Sequence, residues 1–424
     1  MERLLHYVWK YRLYSSAILK TTDGREISII DPGLQNTNAG PDFFNAKIKI
    51  DDTVWAGSVE IHDRASDWIK HGHDKDKAYD AVILHVTEKN DAQIYRQDGQ
   101  PIPQLLLPVP EHIRENSQSL LTSENLLPCA RVIKETDSFL LSSWLNALAG
   151  ERLERKTQDV LVLLDQHGQD WNEVFYILLT RNFGFGLNCD AFQQLACSLP
   201  LRYIQKHRHS ISQVEAFLFG QAGLLNAEDG DEYYRLLRRE YQFLAHKFKL
   251  KPLDASRIKS LRTRPVSFPH IRLAQLGMLW FTYDTLFSQL LEANTLNEIK
   301  NFFRFQPSEY WLTHYNFQRA SSSHPKPIGE NAIHILIINT VASLFFAYGK
   351  KKNKPEFCER AIQIQERIPA EQNSIVRLFT NAGLQIRNAA DSQAVIQLKR
   401  DYCEKKKCMY CRIGYYYLKN PHCR

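Results

Sequence analysis

Two neighbouring segments with the alternation of β-strands place the strongest constraint on the fold of this chain. Side chains alternate between apolar and polar over Phe43 to Ile50 (FFNAKIKI) and, more loosely, over Val54 to His62 (VWAGSVEIH). The pair Asp51-Asp52 between these segments predicts the turn of a hairpin. Asp42 precedes the first strand and Glu60 lies in the second. We therefore expect the two carboxylates close together, where they could share one hard cation such as Mg²⁺.

The spacing of these acids resembles the signature of the PD-(D/E)xK phosphodiesterase superfamily, which has the restriction-endonuclease-like fold. In that signature Pro-Asp is followed by Glu-x-Lys, whereas here Pro41-Asp42 is followed by Glu60-x-His62, with histidine in the lysine position. The resemblance implies that Asp42 and Glu60 bind Mg²⁺ or Mn²⁺, and that His62 orients the attacking water or stabilises developing charge. The alternative is a pair of solvated carboxylates on an exposed sheet face.

The order of the expected elements fits the same fold. A helix over residues 3–14, a strand over 26–30, the hairpin, a short helix starting at Ser66 and an apolar strand over 81–86 follow one another. The restriction-endonuclease-like core requires this order. We predict an α+β chain with an N-terminal restriction-endonuclease-like mixed sheet and flanking helices. A mostly α-helical region and a C-terminal Cys-rich metal-binding segment would follow.

Histidines are concentrated just after the second acid, at His62, His71, His73 and His85. This excess is similar to the histidine-rich active site of the very short patch repair endonucleases, which have the same fold. Neutral imidazole binds metals and transfers protons near pH 7. His71, His73 or Asp76 could therefore complete a second ligand set or protonate the leaving oxygen. A His-rich surface helix is the alternative, and His85, in an apolar strand, is expected to be a core residue.

Much of the chain also resembles a bacterial family of uncharacterised proteins, known only as a domain of unknown function. The segments that carry this resemblance are residues 38–43, 59–62, 67–68, 181–186, 219–224 and 264–276. This resemblance implies no activity, so the function has to be argued from the residues themselves.

Length and composition bound the organisation of the protein. A chain of 424 residues is long for one domain. We predict an αβ domain over residues 1–110, a helical domain over 111–395 and a basic, Cys-rich tail over 396–424. No apolar run approaches the length of a membrane span, and Lys10 and Arg12 interrupt any N-terminal signal. We expect a cytoplasmic protein with reduced thiols and no membrane partner.

A cluster of cysteines near the C-terminus predicts a metal site. Cys403, Cys408 and Cys411 have the spacing Cys-x4-Cys-x2-Cys, and Cys423 follows. A closed zinc site would add folding energy to this segment, while the spacing also matches part of a plant-type iron–sulfur pattern. The fourth ligand is either Cys423 or distant Cys129, which would resemble the iron–sulfur staple of some superfamily nucleases. The remaining cysteines are expected to be core residues, namely Cys189, Cys197 and Cys358.

Two basic clusters suit a phosphate backbone, because lysine and arginine release condensed counterions when they bind it. They are Lys405, Lys406 and Lys407 in the tail, and Arg262, Arg264 and Arg272 in the helical region. The alternatives are a solubilising face for the tail and a structural turn, with arginines paired to acids, for the helical region.

The leading hypothesis is a divergent metal-dependent nuclease that hydrolyses phosphodiester bonds in DNA or RNA. One alternative is a catalytically inactive nuclease-like scaffold that binds nucleic acid, which histidine in the lysine position favours. Another is a helical protein-interaction protein with a structural metal site. Oligomeric state and the choice between DNA and RNA stay open.

Overall fold

The computed structural model describes residues 2–14, 18–260, 264–317 and 319–420, and these separate into two compact units. The sheet unit comprises residues 1–144, 377–385 and 398–424, and the helical unit comprises 145–376 and 386–397. These boundaries differ from the three predicted domains, because the sheet unit extends well past residue 110 and takes in the C-terminal segment. Asn116 gives one physical reason, since its side-chain amide donates to the carbonyls of Tyr417 and Asn420 at 3.1 and 3.0 Å.

A seven-stranded mixed sheet forms the centre of the sheet unit in the described residues. The order along the sheet is β1-β2-β4-β5-β6-β7, and β3 pairs with β4. Neighbours are antiparallel from β1 to β5, whereas β5, β6 and β7 run parallel. The strands are β1 Leu19–Lys20, β2 Glu26–Asp31, β3 Leu34–Gln35, β4 Phe43–Ile50, β5 Thr53–Arg64, β6 Val82–Lys89 and β7 Gln104–Leu106.

Helices flank the sheet and build the rest of the chain. The α-helices are α1 Glu2–Lys10, α2 Asp67–Lys70, α3 Glu111–Thr122, α4 Ala130–Ile133, α5 Ser138–Gln166, α6 Trp171–Phe183, α7 Cys189–Ser198, α8 Leu201–His207, α9 Ile211–Gln221, α10 Glu232–Phe248, α11 Pro269–Thr282, α12 Leu286–Glu292, α13 Leu296–Asn301, α14 Tyr310–Thr313, α15 Glu330–Leu336, α16 Ala342–Lys352, α17 Pro355–Arg367, α18 Ser374–Asn381, α19 Ala389–Gln397 and α20 Arg412–Lys419. Short 3₁₀-helices cover His73–Lys75, Lys77–Tyr79, Ala255–Arg257, Pro265–Ser267 and Cys408–Tyr410, and π-helical turns cover Ile337–Val341 and Leu398–Cys403.

The predicted α+β class, with a mixed sheet near the N-terminus and a helical remainder, is confirmed. The elements α1, β2, the β4–β5 hairpin, α2 and β6 follow one another in the expected order. The first helix is shorter than predicted and ends at Lys10, because Arg12 adopts a left-handed backbone conformation with φ of 52°. The predicted element types were therefore correct where the periodicity was clear, and the error lies at an element end.

The hairpin that carries the acids has the two-residue turn that the sequence predicts. Ile50 pairs with Thr53 in the antiparallel register, which leaves Asp51 and Asp52 as the turn. Asp51 has a φ of 50°, a left-handed conformation that matches the twist of hairpin strands. The register shifts between Phe43 and Ala46, so that Phe43 lies opposite Val59. This irregularity sets the positions of the residues at the start of β4.

Gly57 lets β5 approach β6 closely, and we expect Gly57→Ala to destabilise the sheet unit. A Cβ at this position would lie 2.5 Å from Cγ2 of Ile83 and 2.6 Å from the carbonyl oxygen of Ala81. Overpacking of this kind costs about 1–3 kcal/mol. Urea unfolding followed by circular dichroism measures the loss. As a control, Gly150→Ala adds a Cβ within α5 with no atom within 4 Å, so its stability should be unchanged or higher.

One helical stretch among the described residues, Glu330–Lys352, is long and apolar enough to cross a membrane by length and composition. The prediction that no stretch approaches this length is wrong here. Its most apolar window has a mean hydropathy of 1.7, and 72% of that window is buried inside the structure. Leu336, Ile338 and Phe345 belong to the core of the helical unit. Burial among other helices therefore accounts for the apolar composition of this stretch.

Candidate active site

Asp42, which immediately precedes β4, and Glu60, which lies on β5, are neighbours in space. The backbone N–H of Asp42 donates a hydrogen bond to Oε2 of Glu60 at 3.0 Å. In turn, the backbone N–H of Ile61 donates to Oδ2 of Asp42 at 3.0 Å. The register that places Phe43 opposite Val59 brings these groups together. The two carboxylates therefore meet, as the hairpin pattern predicts.

A histidine from the N-terminal helix contacts the first carboxylate. Nε2 of His6 in α1 lies 3.2 Å from Oδ2 of Asp42. Burial alone would lower the pKa of His6, but the contact with Asp42 and the charges of Asp42 and Glu2 raise it above its ordinary value. His6 therefore holds a proton more readily than a free histidine and can place a positive charge beside Asp42.

Three histidines gather at the other side of Glu60. His62 lies two residues after Glu60 on β5, so both side chains share one face of the strand. His71 and His73 come from the segment that follows α2. One ligand nitrogen from each of His62, His71 and His73 lies within 4.8 Å of the other two. Nε2 of His62 and of His73 lie 3.5 and 3.4 Å from Oε1 of Glu60.

Burial and charge set the protonation of Glu60. Its side chain is only 6% exposed. Burial, together with the negative charge of Asp42, raises the pKa of Glu60 to about 8. Burial and the charges of Glu60 and Asp42 likewise raise the pKa of Tyr79 to about 12. Without a cation Glu60 therefore keeps its proton near pH 7, and a bound cation would favour its ionised form.

His62 is neutral near pH 7. Burial and the neighbouring His73 and His71 lower the pKa of His62 to about 4. Burial and His71 also lower the pKa of His73. His62 therefore does not supply the fixed positive charge that lysine would carry at the same position. A neutral imidazole nitrogen is, however, available as a metal ligand or as a hydrogen-bond partner for water.

His85 supports His62 from within the sheet. Nε2 of His85 lies 2.9 Å from Nδ1 of His62, and the side chain of His85 is fully buried. Burial and His62 lower the pKa of His85 to about 3, so one neutral ring donates to the other. If Nδ1 of His62 donates to His85, Nε2 of His62 presents its lone pair towards Glu60 and His71. Outer hydrogen bonds of this kind fix the tautomer of a metal-binding histidine.

The donors of this cluster fit a divalent metal. Asp42 and Glu60 offer carboxylate oxygens, which suit Mg²⁺ or Mn²⁺. His62, His71 and His73 add imidazole nitrogens, which suit transition metals such as Zn²⁺. A cation beside Glu60 would also remove the cost of holding two acids together in a buried place. The donor types of the cluster are therefore compatible with a divalent metal.

Asp76 and Tyr79 complete the surroundings in different ways. Asp76 is exposed, and its carboxylate accepts a hydrogen bond from its own turn at the N–H of Ala78, at 2.9 Å. The negative charge of Asp76 is near enough to act on the pKa of His73, but Asp76 does not belong to the group of three histidines. The ring of Tyr79 stacks on His73 with centroids 3.8 Å apart. Sequence reasoning missed both Tyr79 and His6, because neither lies in a recognisable metal-ligand spacing.

The predicted nucleic-acid-binding residues have mixed surroundings. Arg264 is exposed. Arg272 is held inside its own unit by Oε1 of Gln275 at 2.9 Å and by the Phe185 ring, with burial lowering its pKa to about 10. These contacts support the structural alternative for Arg272. Arg262 lies outside the described residues.

The tail lysines are partly engaged within the sheet unit. Lys405 pairs with Asp401, and Nζ of Lys406 donates to the carbonyls of Leu121 and Ser123 at 2.7 and 2.9 Å. Lys407 is exposed. These contacts tie the tail to the end of α3.

The predicted cysteine ligands lie in the sheet unit. Cys403, Cys408 and Cys411 belong to its C-terminal segment, and Cys129, which precedes α4, has its pKa raised by burial and by their nearness. Cys423 lies outside the described residues. The expectation of a core position is wrong for Cys197, which is exposed at the end of α7.

The comparisons with known proteins identify relatives without an activity. A family model described as "Protein of unknown function (DUF2851)" matches residues 2–374 of this chain. No curated protein and no solved structure matches this chain. The predicted resemblance to a family of unknown function is thereby confirmed, and the nuclease resemblance of the N-terminal region stays a prediction.

Proposed function

This chain belongs to the DUF2851 family of proteins of unknown function, and we propose that it is a metal-dependent nuclease that hydrolyses phosphodiester bonds. One observation carries the proposal: the buried carboxylate of Glu60 lies between Asp42 on one side and three histidines on the other. Such a set of oxygen and nitrogen donors is costly to assemble without a cation. The sheet order, with the antiparallel β4–β5 hairpin followed by the parallel strands β6 and β7, supports the restriction-endonuclease-like fold for this region.

Each residue has a definite task in this proposal. Asp42 and Glu60 would hold Mg²⁺ or Mn²⁺, with His71 and His73 available as further ligands. When bound, the metal polarises the phosphoryl oxygen and lowers the pKa of water. Nε2 of His62, whose ring is held through His85, orients the attacking water or accepts its proton.

His6 compensates for the missing lysine. The lysine position holds neutral His62, whereas the raised pKa of His6 favours a proton on its imidazole beside Asp42. A protonated His6 can stabilise charge that develops on the phosphoryl group, or donate its proton to the leaving oxygen. The positive charge is thus supplied from α1 rather than from β5.

A small pocket of about 30 Å³ beside His6 is lined by cationic and aromatic side chains. Arg3, Lys10 and Tyr11 of the N-terminal segment line it together with Tyr410. Tyr11 and Tyr410 are exposed, so their rings are accessible to bases. Cationic groups that follow a phosphate backbone and aromatic rings that stack on bases are typical of single-stranded nucleic-acid binding. The positive charge and the exposed rings around this pocket therefore support nucleic acid as the substrate.

A scaffold that binds nucleic acid without cleaving it is the second candidate. The low pKa of His62 favours it, because the position that normally holds a lysine is uncharged near pH 7. The scaffold predicts binding that weakens as salt rises, without metal-dependent hydrolysis.

The test is cleavage of single- and double-stranded DNA and RNA by the purified full-length protein. We expect hydrolysis with Mg²⁺ or Mn²⁺ and none with a chelator. Salt-sensitive binding without cleavage in any metal would reject the nuclease and leave the scaffold. Absence of both binding and cleavage would reject both candidates.

A further inference from the structure

Four cysteines from distant parts of the sequence meet in the sheet unit. Cys129 precedes α4, Cys403 ends a π-helical turn, and Cys408 and Cys411 bracket the 3₁₀-helix that precedes α20. Cys129 and Cys408 pack against the same group of buried side chains. Each of the four thiols is near enough to the other three for their charges to interact. Cys411 is buried and the other three are partly buried.

The turn that carries Cys408 and Cys411 is built around a glycine. A Cβ at Gly414 would lie 2.0 Å from the carbonyl oxygen of Cys408, so glycine is needed for this close approach. The tight turn places the backbone N–H groups of Ile413 and Gly414 within hydrogen-bonding reach of the sulfur of Cys411. Hydrogen bonds of this kind favour a thiolate.

A buried indole adds to this environment. Nε1 of Trp144 is buried without a well-aligned hydrogen-bond partner, and it lies near the sulfur of Cys411. Trp144 itself is only 8% exposed. A buried donor normally has an acceptor, and a thiolate at Cys411 would provide one.

We propose that Cys129, Cys403, Cys408 and Cys411 together bind a thiophilic metal centre. The centre joins the segment before α4 to the C-terminal segment, whose lysine Lys406 is already bonded to the end of α3. Because the ligands come from regions distant in sequence, metal binding adds directly to the folding free energy. This centre is independent of the proposed nuclease activity.

The spacing of the sulfurs favours an iron–sulfur cluster over one zinc ion. Four sulfurs around a tetrahedral zinc lie about 3.8 Å apart, given a Zn–S bond of about 2.3 Å. Among the described residues, His62, His71 and His73 place three ligand atoms within 4.8 Å of one another. No three of these cysteine sulfurs lie that close together. The wider cysteine set suits a cluster of several irons, which four cysteine thiolates hold.

Metal analysis of the full-length protein, purified without oxygen, tests the proposal. We expect stoichiometric iron and acid-labile sulfide, with visible absorption that bleaches on reduction. Stoichiometric zinc without sulfide would support the four-cysteine centre and overturn its assignment as a cluster. A wild-type protein that holds neither metal in stoichiometric amount would overturn the proposal.

Substitutions identify the ligands. Cys129→Ser should lower the metal content at least severalfold, whereas the exposed Cys197→Ser should leave it unchanged. Cys423→Ser should also keep the metal, and loss in that variant with retention in Cys129→Ser would overturn the choice of Cys129. If Cys129→Ser fails to fold, the Cys423→Ser result and the wild-type analysis still decide. Asp42→Ala should keep the centre, which separates this test from that of the nuclease.

Discussion

Replacing Glu60 with glutamine is expected to lower metal-dependent phosphodiester cleavage by at least about 10³-fold. A metal ion contributes several kcal/mol to the transition state, and about 4 kcal/mol corresponds to this factor. Glutamine keeps an oxygen for the N–H of Asp42, which Glu60 now accepts at 3.0 Å, so the hairpin should be retained. Asp42→Asn should reduce cleavage to a similar degree, because it removes the other carboxylate.

Initial rates at saturating Mn²⁺, with circular dichroism to verify folding, measure this effect. Asp52→Asn is the matched control, because Asp52 is a fully exposed carboxylate in the turn of the same hairpin. Its rate should equal that of the wild type. Full activity in both Glu60→Gln and Asp42→Asn would show that cleavage occurs elsewhere or comes from a contaminant.

In the presence of a chelator, Glu60→Gln should remove the loss of stability that the wild type shows as the pH rises. The folded-state pKa of Glu60 is about 8, well above the ordinary value of 4.5. Its contribution to stability is therefore complete below pH 4.5 and is lost as the pH rises through about 8. Glu60→Gln does not ionise, so at pH 8 to 9 without metal it should melt at a higher temperature than the wild type. A lower melting temperature would contradict a buried, metal-free carboxylate at this position.

Glu215→Leu is expected to destabilise the helical unit by about 3–5 kcal/mol, because it leaves three buried donors without their acceptor. The carboxylate of Glu215 is fully buried and accepts three hydrogen bonds. The donors are Oγ of Ser308 at 2.7 Å, Nε1 of Trp311 at 2.8 Å and the hydroxyl of Tyr233 at 2.9 Å. These bonds join three separate segments of the unit, so their loss affects packing between elements as well as local polarity.

Urea unfolding, followed by near-ultraviolet circular dichroism, measures the effect of Glu215→Leu. Glu215→Gln keeps an acceptor oxygen and should lose clearly less stability than the leucine variant. Glu366→Leu is the surface control, because Glu366 is exposed in α17, and it should change stability by no more than about 0.5 kcal/mol. Equal stability of Glu215→Leu and the wild type would mean that the three donors find other partners.

Local sequence patterns were sufficient to predict the strands of the hairpin and the position of the carboxylate pair. Alternation with a period of two predicted β4 and β5, and Asp51-Asp52 predicted their turn, because these signals depend only on neighbouring residues. That hairpin is enough to bring Asp42 next to Glu60. The close spacing of Cys403, Cys408 and Cys411 was likewise visible without a structure.

The residues that approach these groups from distant parts of the chain, and the protonation of the groups, could not be predicted from the sequence and follow from the packing of the elements. His6 reaches Asp42 from α1, and Cys129 approaches the tail cysteines, although no sequence spacing connects them. The neutral state of His62 and the raised pKa of Glu60 follow from burial and neighbouring charges, which depend on the packed side chains around each group. Periodicity reports which face of an element is apolar, whereas contacts between elements distant in sequence arise only when those faces are packed together.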